Sequence, residues 1–270
     1  MRIGLLSDIH VDINRDAGKP VMEGLKKAIP SKNLDRMIIA GDMASDYVLT
    51  LASLREIEDA TGVECLFVPG NHDIWNENHP GITAWDAYEK LRSFTGNLAN
   101  GPRVLTGNWI AIGDIGWYDY SFGSPDYSTE EFDRMQIDDR LWQDKVKAVW
   151  DRSTVEMHAY FFEKLKRQLD AHRGNKIILV IHALPIREFT VQDPGRLWSY
   201  LNAFLGSSQY GALALEYGVR YVVCGHVHYR KTARIRKTEF ICNCLNYSDQ
   251  WIDSEPDREI ADVLKVIEIA

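Results

Sequence analysis

CLFVPGNHD, residues 65–73, passes from the apolar run Cys65 to Val68 through Pro69 and Gly70 into Asn71, His72 and Asp73. A short, continuously apolar run closed by such breakers reads as a strand buried on both faces, as in a parallel sheet. Gly70 allows the tight turn out of the strand, and Asn71 offers a neutral carbonyl oxygen that suits a cation. His72, the next residue in the turn, points elsewhere and is better placed as a proton donor than as a ligand. Four other runs repeat the design: GLL leads to Asp8 and His10 (SDIH), MIIA to Asp42 (AGD), IILVI to His182 (IHALP) and YVVC to His226 and His228 (GHVH). Open α/β sheets gather ligand groups where their strands terminate. The pattern therefore brings about seven oxygen and nitrogen ligands to one edge of one sheet.

Within this set, Asp8 and His10 are i and i+2, so at an extended strand end both point the same way and can grip one ion. His226 and His228 repeat that spacing, with Gly225 letting the backbone approach. Asp42 has two carboxylate oxygens and can bridge two ions, or it can cap the following helix. Asp73 can hold the second ring nitrogen of His72 and raise its pKa toward neutrality, or it is a turn aspartate bonded to its own backbone. A set of Asp, His and Asn without thiolate suits manganese, iron or zinc rather than calcium. Seven ligands exceed what one tetrahedral zinc requires, so two ions sharing Asp42 is the economical solution.

The rest of the chain sets the context. With 270 residues, 45% hydrophobic and 26% charged, it has the composition of a globular α/β protein rather than a disordered one. A net charge of −8 disfavours binding to long nucleic acid, and with it a processive nuclease. A strand beginning at Arg2 and the lack of an apolar run of about 18 residues predict a cytoplasmic protein with no membrane span. Cys65, Cys224, Cys242 and Cys244 read as small buried hydrophobes of a reducing compartment, although Cys242 and Cys244 share a strand face and can bind a metal or sense redox.

Residues 1–118 alternate strand runs with amphipathic stretches, at about 21–29 and 49–60, and a further strand begins at Trp109. Residues 118–173 change character and predict a helical insertion or lid within a single domain spanning 1–270. REFTVQDPGRLWSYLNAFLG, ending at Gly206, predicts a second elaboration on the same side. The stretches KTARIRKTEFICNCLNYS and EIADVLKVIEI predict antiparallel strands.

The ordered blocks DxH, GD, GNHD, H and GHxH, from Asp8 to His228, resemble those of the calcineurin-like metallophosphoesterases. The resemblance covers most of the chain but not the 118–173 insertion. It implies a double-layered β-sandwich flanked by helices, in four layers, with a two-metal centre at its edge. It also implies that Asp8, His10 and His228 hold one ion, that Asn71, His182 and His226 hold the other, that Asp42 is shared, and that His72 is the general acid. The expected activity is hydrolysis of a phosphoric ester, mono- or diester, by a bridging hydroxide attacking phosphorus in line. The substrate is then a small phosphorylated molecule, with a nucleotide as one candidate. A non-catalytic scaffold is the alternative, but such relatives lose ligands that this chain keeps. Trp117 and Tyr118 are candidates to stack on a base or sugar, and Arg187 to hold a second phosphate or a carboxylate. The competing roles are packing of the insertion for the aromatics and pairing with Glu188 or solvent for Arg187. His79, in a loop near Asn71, is a weaker candidate.

Overall fold

The computed structural model of the protein describes residues 1–75, 78–79 and 81–270. In chain order its strands are β1 (Arg2–Leu6), β2 (Arg36–Ala40), β3 (Glu64–Val68), β4 (Arg103–Val104), β5 (Trp109–Asp114), β6 (Gln136–Ile137), β7 (Arg140–Leu141), β8 (Lys176–Ile181), β9 (Tyr221–Cys224), β10 (Arg230–Ile235), β11 (Thr238–Asn243) and β12 (Lys265–Glu268). The helices are α1 (Val11–Asp16), α2 (Val21–Ser31), α3 (Tyr47–Thr61), α4 (Ala84–Leu91), α5 (Thr129–Asp133), α6 (Asp144–Lys147), α7 (Thr154–Ala171), α8 (Gly195–Leu201), α9 (Ser208–Glu216) and α10 (Pro256–Val263).

Two sheets result, in the orders β12-β1-β2-β3 and β10-β11-β9-β8-β5-β4, with β6 and β7 forming a separate hairpin. β1, β2 and β3 are parallel, as are β5, β8, β9 and β11; β12, β4 and β10 run antiparallel at the edges. Because strand side chains alternate between faces, each sheet has two apolar faces. Ile3, Leu5, Ile38, Ala40, Leu66 and Val68 of the first sheet meet Ala111, Ile178, Val180, Val223 and Ile241 of the second in a core between the sheets. The opposite face of the first sheet, with Met37, Ile39, Cys65 and Phe67, packs against Leu25 and Ile29 of α2, Leu54 and Ile57 of α3, Leu91 of α4 and Ile260 of α10. The opposite face of the second sheet packs against Leu165 and Leu169 of α7 and Tyr210 and Leu213 of α9. The order is therefore helices, sheet, sheet, helices, as the resemblance implies. Among the described residues no helix is long and apolar enough to cross a membrane.

Local signals start and stop the helices where the layers need them. The Asp46 side chain accepts from the amides of Val48 and Leu49 to start α3, and Gly62 ends it at φ 69°. Thr83 with Asp86, and Ser153 with Glu156, form capping boxes at α4 and α7. In α7 the buried Met157, Phe161, Leu165 and Leu169 recur every four residues as one stripe, whose Leu165 and Leu169 meet the second sheet.

Three sequence expectations are corrected. The ligand-bearing strands do not belong to one sheet: β1 to β3 lie in the first, β8 and β9 in the second, and the two sheets come together at a bridge between Ser7 and Cys244. Residues 118–173 are helical mainly in α7, which is the helix linking parallel strands β5 and β8; the remainder is the β6–β7 hairpin with the short α5 and α6. Tyr120 and Tyr127, from loops, and Phe132, from α5, pack there against Phe204 and Tyr200. EIADVLKVIEI splits into the end of α10 and β12, because its first half alternates at the helical period and only the second pairs with β1. The four cysteines are free and buried, with Cys242 Sγ 3.7 Å from Cys244 Sγ.

Candidate metal centre

Strand register puts the motif residues at one level. Leu6 lies opposite Ile39, and Ile39 opposite Phe67, so Asp8, Asp42 and Asn71 leave the first sheet together. Val180 lies opposite Val223, which does the same for His182 and His226. The backbone then turns abruptly: Asp8, His10, Asp42, His226 and His228 all have φ between 46° and 75°. The expected extended DxH and HxH ends are thus corrected, since alternating left-handed residues, not strand alternation, aim these side chains. Non-glycine residues seldom adopt this region, although Asp, Asn and His do so more readily than most.

The side chains converge into groups whose potential ligand atoms lie within 4.8 Å of one another: Asp8, His10 and His228; Asp42, His182 and His226; and His10, Asp42 and His72. Asn71 Oδ1 lies 3.0 Å from both His182 Nε2 and His226 Nδ1. Asp42 Oδ2 faces both halves, 3.4 Å from His182 Nε2 and 3.8 Å from His10 Nε2. His10 Nε2 and His228 Nε2 are 3.1 Å apart.

Outer partners fix which nitrogen each ring turns inward. His182 Nδ1 donates to the Ala40 carbonyl (2.8 Å), His226 Nε2 to the Phe204 carbonyl (3.1 Å) and His228 Nδ1 to Gln250 Oε1 (2.8 Å). His226 and His228 thereby turn a lone pair toward the cluster, and His182 turns in Nε2, whose proton faces the Asp42 carboxylate. Inward lone pairs and carboxylate oxygens at these separations, with few protons among them, form a donor set that fits cations.

Electrostatics agree. Burial, reinforced by neighbouring imidazoles, holds His10 well below the ordinary histidine value and His226 down to about 3. Burial also opposes charge on His182, but the Asp42 carboxylate outweighs it and raises that ring to about 10. Two glycines make the approach possible. A Cβ on Gly70 would lie 2.1 Å from Asp42 Oδ1, and one on Gly225 2.4 Å from Asp8 Oδ2.

The model of the calcineurin-like phosphoesterase family matches residues 1–230. This chain belongs to the calcineurin-like phosphoesterases. They are hydrolases of phosphoric esters, and the His and Asp clusters fit the two-metal centre that the family implies. Among solved structures, the phosphopantetheinyl hydrolase of Mycobacterium tuberculosis superposes with a TM-score of 0.76 at 17% identity, covering 98% of this chain and 95% of that one. A dimetal phosphatase of Danio rerio gives 0.55 at 14% identity, covering 90% and 86%. At these identities the likeness is one of fold. No curated protein matches the sequence.

Several expectations about this phosphoesterase's remaining site residues are corrected. Asp73 does not touch the His72 ring: its carboxylate accepts from the amides of Asp42, Met43, Ala44 and Gly70 and from the Thr50 hydroxyl, tying the β2 turn to the β3 turn. His72 Nδ1 is buried without a partner, and the ring stacks on Trp75 at 3.6 Å. Burial, then His228 and His182, push the His72 pKa down rather than up. Trp117 and Tyr118 are buried, 3% and 2% exposed, and pack on Trp150 and Phe204, so no flat face is open for a base. Arg187 does not line the cavity above the cluster and donates to the carbonyls of Ser121 and Phe122. His79 lies beside Asp46, 3.6 Å from its carboxylate.

The cluster floors a cavity of about 620 Å³ whose walls come from elements that carry no family block. Trp142 and Asp144 come from the segment after β7, Trp198 from α8, and Tyr247 and Gln250 from the loop after β11. Tyr247 flanks His10 and His228 at 4.7 and 4.5 Å. The loop after β11 was findable as one more polar strand end; Trp142 and Asp144 sit in no spacing that marks them.

Proposed function

We propose that the chain is a two-cation phosphoric ester hydrolase acting on a small substrate whose organic group carries little charge. What carries the reading is that Asp8, His10 and His228, and Asp42, His182 and His226 with Asn71, converge in one cluster whose Asp42, Asn71, His226 and His228 line the cavity. In it, Asp8, His10 and His228 would hold one ion and Asn71, His182 and His226 the other, with Asp42 shared; manganese, iron and zinc suit these donors. When bound, such a pair supplies positive charge that acidifies water and offsets charge on the phosphoryl oxygens.

The residues around it have separate tasks. His72 turns Nε2 toward the cluster, 4.0 Å from Asp42 Oδ2, and is the proposed proton donor to the leaving oxygen. Its pKa is low in the protein alone, and a phosphoryl oxyanion beside the ring favours the imidazolium again. Trp142, Trp198 and Tyr247 offer apolar faces for the organic group and, with the buried Trp75, keep bulk water from the reacting centre. No Lys or Arg lines the cavity among the described residues, so it suits one phosphoryl group rather than a polyphosphate. Because a phosphopantetheinyl hydrolase shares this fold, a phosphopantetheinyl ester belongs in the test.

The experiment is a panel of aryl, alkyl and phosphopantetheinyl mono- and diesters and nucleotides, run on stripped protein reloaded with manganese, iron or zinc. Turnover that depends on the added ion is expected, with esters of apolar groups preferred over nucleoside triphosphates. Absence of turnover with every ion would overturn the proposal.

A further inference from the structure

Asp144 opens α6, in the segment between β5 and β8 that contains no family block, and is 2% exposed. Its carboxylate accepts four hydrogen bonds. Oδ1 takes Asn71 Nδ2 and Trp75 Nε1, both at 2.9 Å; Oδ2 takes Trp142 Nε1 at 2.9 Å and the Tyr118 hydroxyl at 3.3 Å. An ionised carboxylate accepts at both oxygens and donates nothing, which matches four converging donors. The bond to Asn71 has a directional effect. With its nitrogen committed to Asp144, the Asn71 amide must turn Oδ1 the other way, where it sits 3.0 Å from His182 Nε2 and from His226 Nδ1. The flipped amide would set oxygen against carboxylate and turn an NH₂ group, which cannot ligate a cation, toward the His182 and His226 ring nitrogens. The same carboxylate holds the indole N–H groups of Trp75 and Trp142, two walls of the cavity.

We infer that Asp144 is a positioning residue: it orients Asn71 as an oxygen ligand for the ion shared with His182 and His226, and it joins that ligand to the aromatic wall that receives the substrate's organic group. The inference rests on the two-cation reading. It makes the segment after β7 part of the metal site without contributing a ligand, so a change in the wall is transmitted to one ion and not to both.

The test counts ions. Stripped protein is titrated with Mn²⁺ and the free ion is followed by electron paramagnetic resonance, alongside thermal melting of the stripped protein. Parent protein is expected to take two ions per chain. Asp144→Asn presents an N–H where an acceptor stood and frees Asn71 to turn; it is expected to bind one ion as the parent does and the other about 10- to 100-fold more weakly, with the stripped protein still melting cooperatively. Combining it with Asn71→Asp exchanges donor and acceptor and is expected to recover most of the lost affinity, a rescue that simple loss of packing does not produce. If Asp144→Asn takes both ions with parental affinity, or weakens both equally, the inference is overturned. Should that variant not fold, Asp144→Glu keeps the acceptors but displaces them by one methylene, and must weaken the same single ion. A parent that takes up no Mn²⁺ overturns the two-cation reading itself, which separates the two failures.

Discussion

At the residue scale, the cluster is decided by which ring nitrogen faces inward and whether it carries a proton. His182 donates Nδ1–H to Ala40, yet with Asp42 at 3.4 Å its Nε2 also keeps a proton up to about pH 10. His10 and His226, held low mainly by burial, are already neutral at pH 7. Ion uptake there must displace the His182 proton, so affinity should rise with pH, up to about tenfold per unit between pH 7 and 9, and about one proton should appear in solution. Calorimetric titration of stripped protein in two buffers of different ionisation heat measures that proton; uptake without release would contradict the role given to His182. The His72 ring meets the cluster at its edge toward Asp42 and His10, and the backbone N–H that it donates to Asp42 Oδ1 survives substitution of the side chain. His72→Ala is therefore expected to keep both ions while losing about 10² to 10⁴ in rate on alkyl esters, whose leaving oxygen needs a proton, and less on nitrophenyl esters. Ion content and rate on the two ester types, measured together, decide it.

At the scale of elements, the sequence was most legible where one strand delivers one cluster residue. The apolar runs before Asp8, Asp42, Asn71, His182 and His226 are the strands that carry them, because burial on both faces leaves a continuous signature. It was least legible where aim depends on a turn. Nothing in SDIH or GHVH announces a left-handed residue, so strand alternation was the wrong rule there. Trp117 and Tyr118 illustrate a second limit: they follow a strand ending near the cluster, but the chain after them folds back and covers both. Arg187 belongs to a loop whose carbonyls it satisfies. Arg187→Ala should cost only about 0.5–1.5 kcal/mol of stability by losing its bonds to the Ser121 and Phe122 carbonyls, with ester preference unchanged. Trp142→Ala, in contrast, removes a wall and should raise KM for bulky apolar esters about tenfold or more relative to a methyl ester, a difference that paired kcat and KM measurements resolve.

At the scale of the molecule, the candidate ligands from two sheets meet at one end of the sandwich, so on the proposed reading bound ions would clamp the sheets together as well as activate the substrate. Ligands that bind only the folded state stabilise it by about 2.7–4.1 kcal/mol at 100 to 1,000 times Kd, and a chain of this size gains roughly 2–4 °C per kcal/mol. Chelation is expected to lower Tm by roughly 5–15 °C, reversibly on adding Mn²⁺; a calorimetric scan that ignores both treatments would argue against ions held between the sheets. The unusual φ values at Asp8, His10, Asp42, His226 and His228 act in the opposite direction when no ion is present. Histidine is less at ease there than asparagine, and His10 is buried beside other imidazoles with Nδ1 unpartnered. Laboratory evolution of this chain for heat resistance in chelator should therefore enrich His10→Asn or His228→Asn, producing sturdier descendants that have discarded their chemistry.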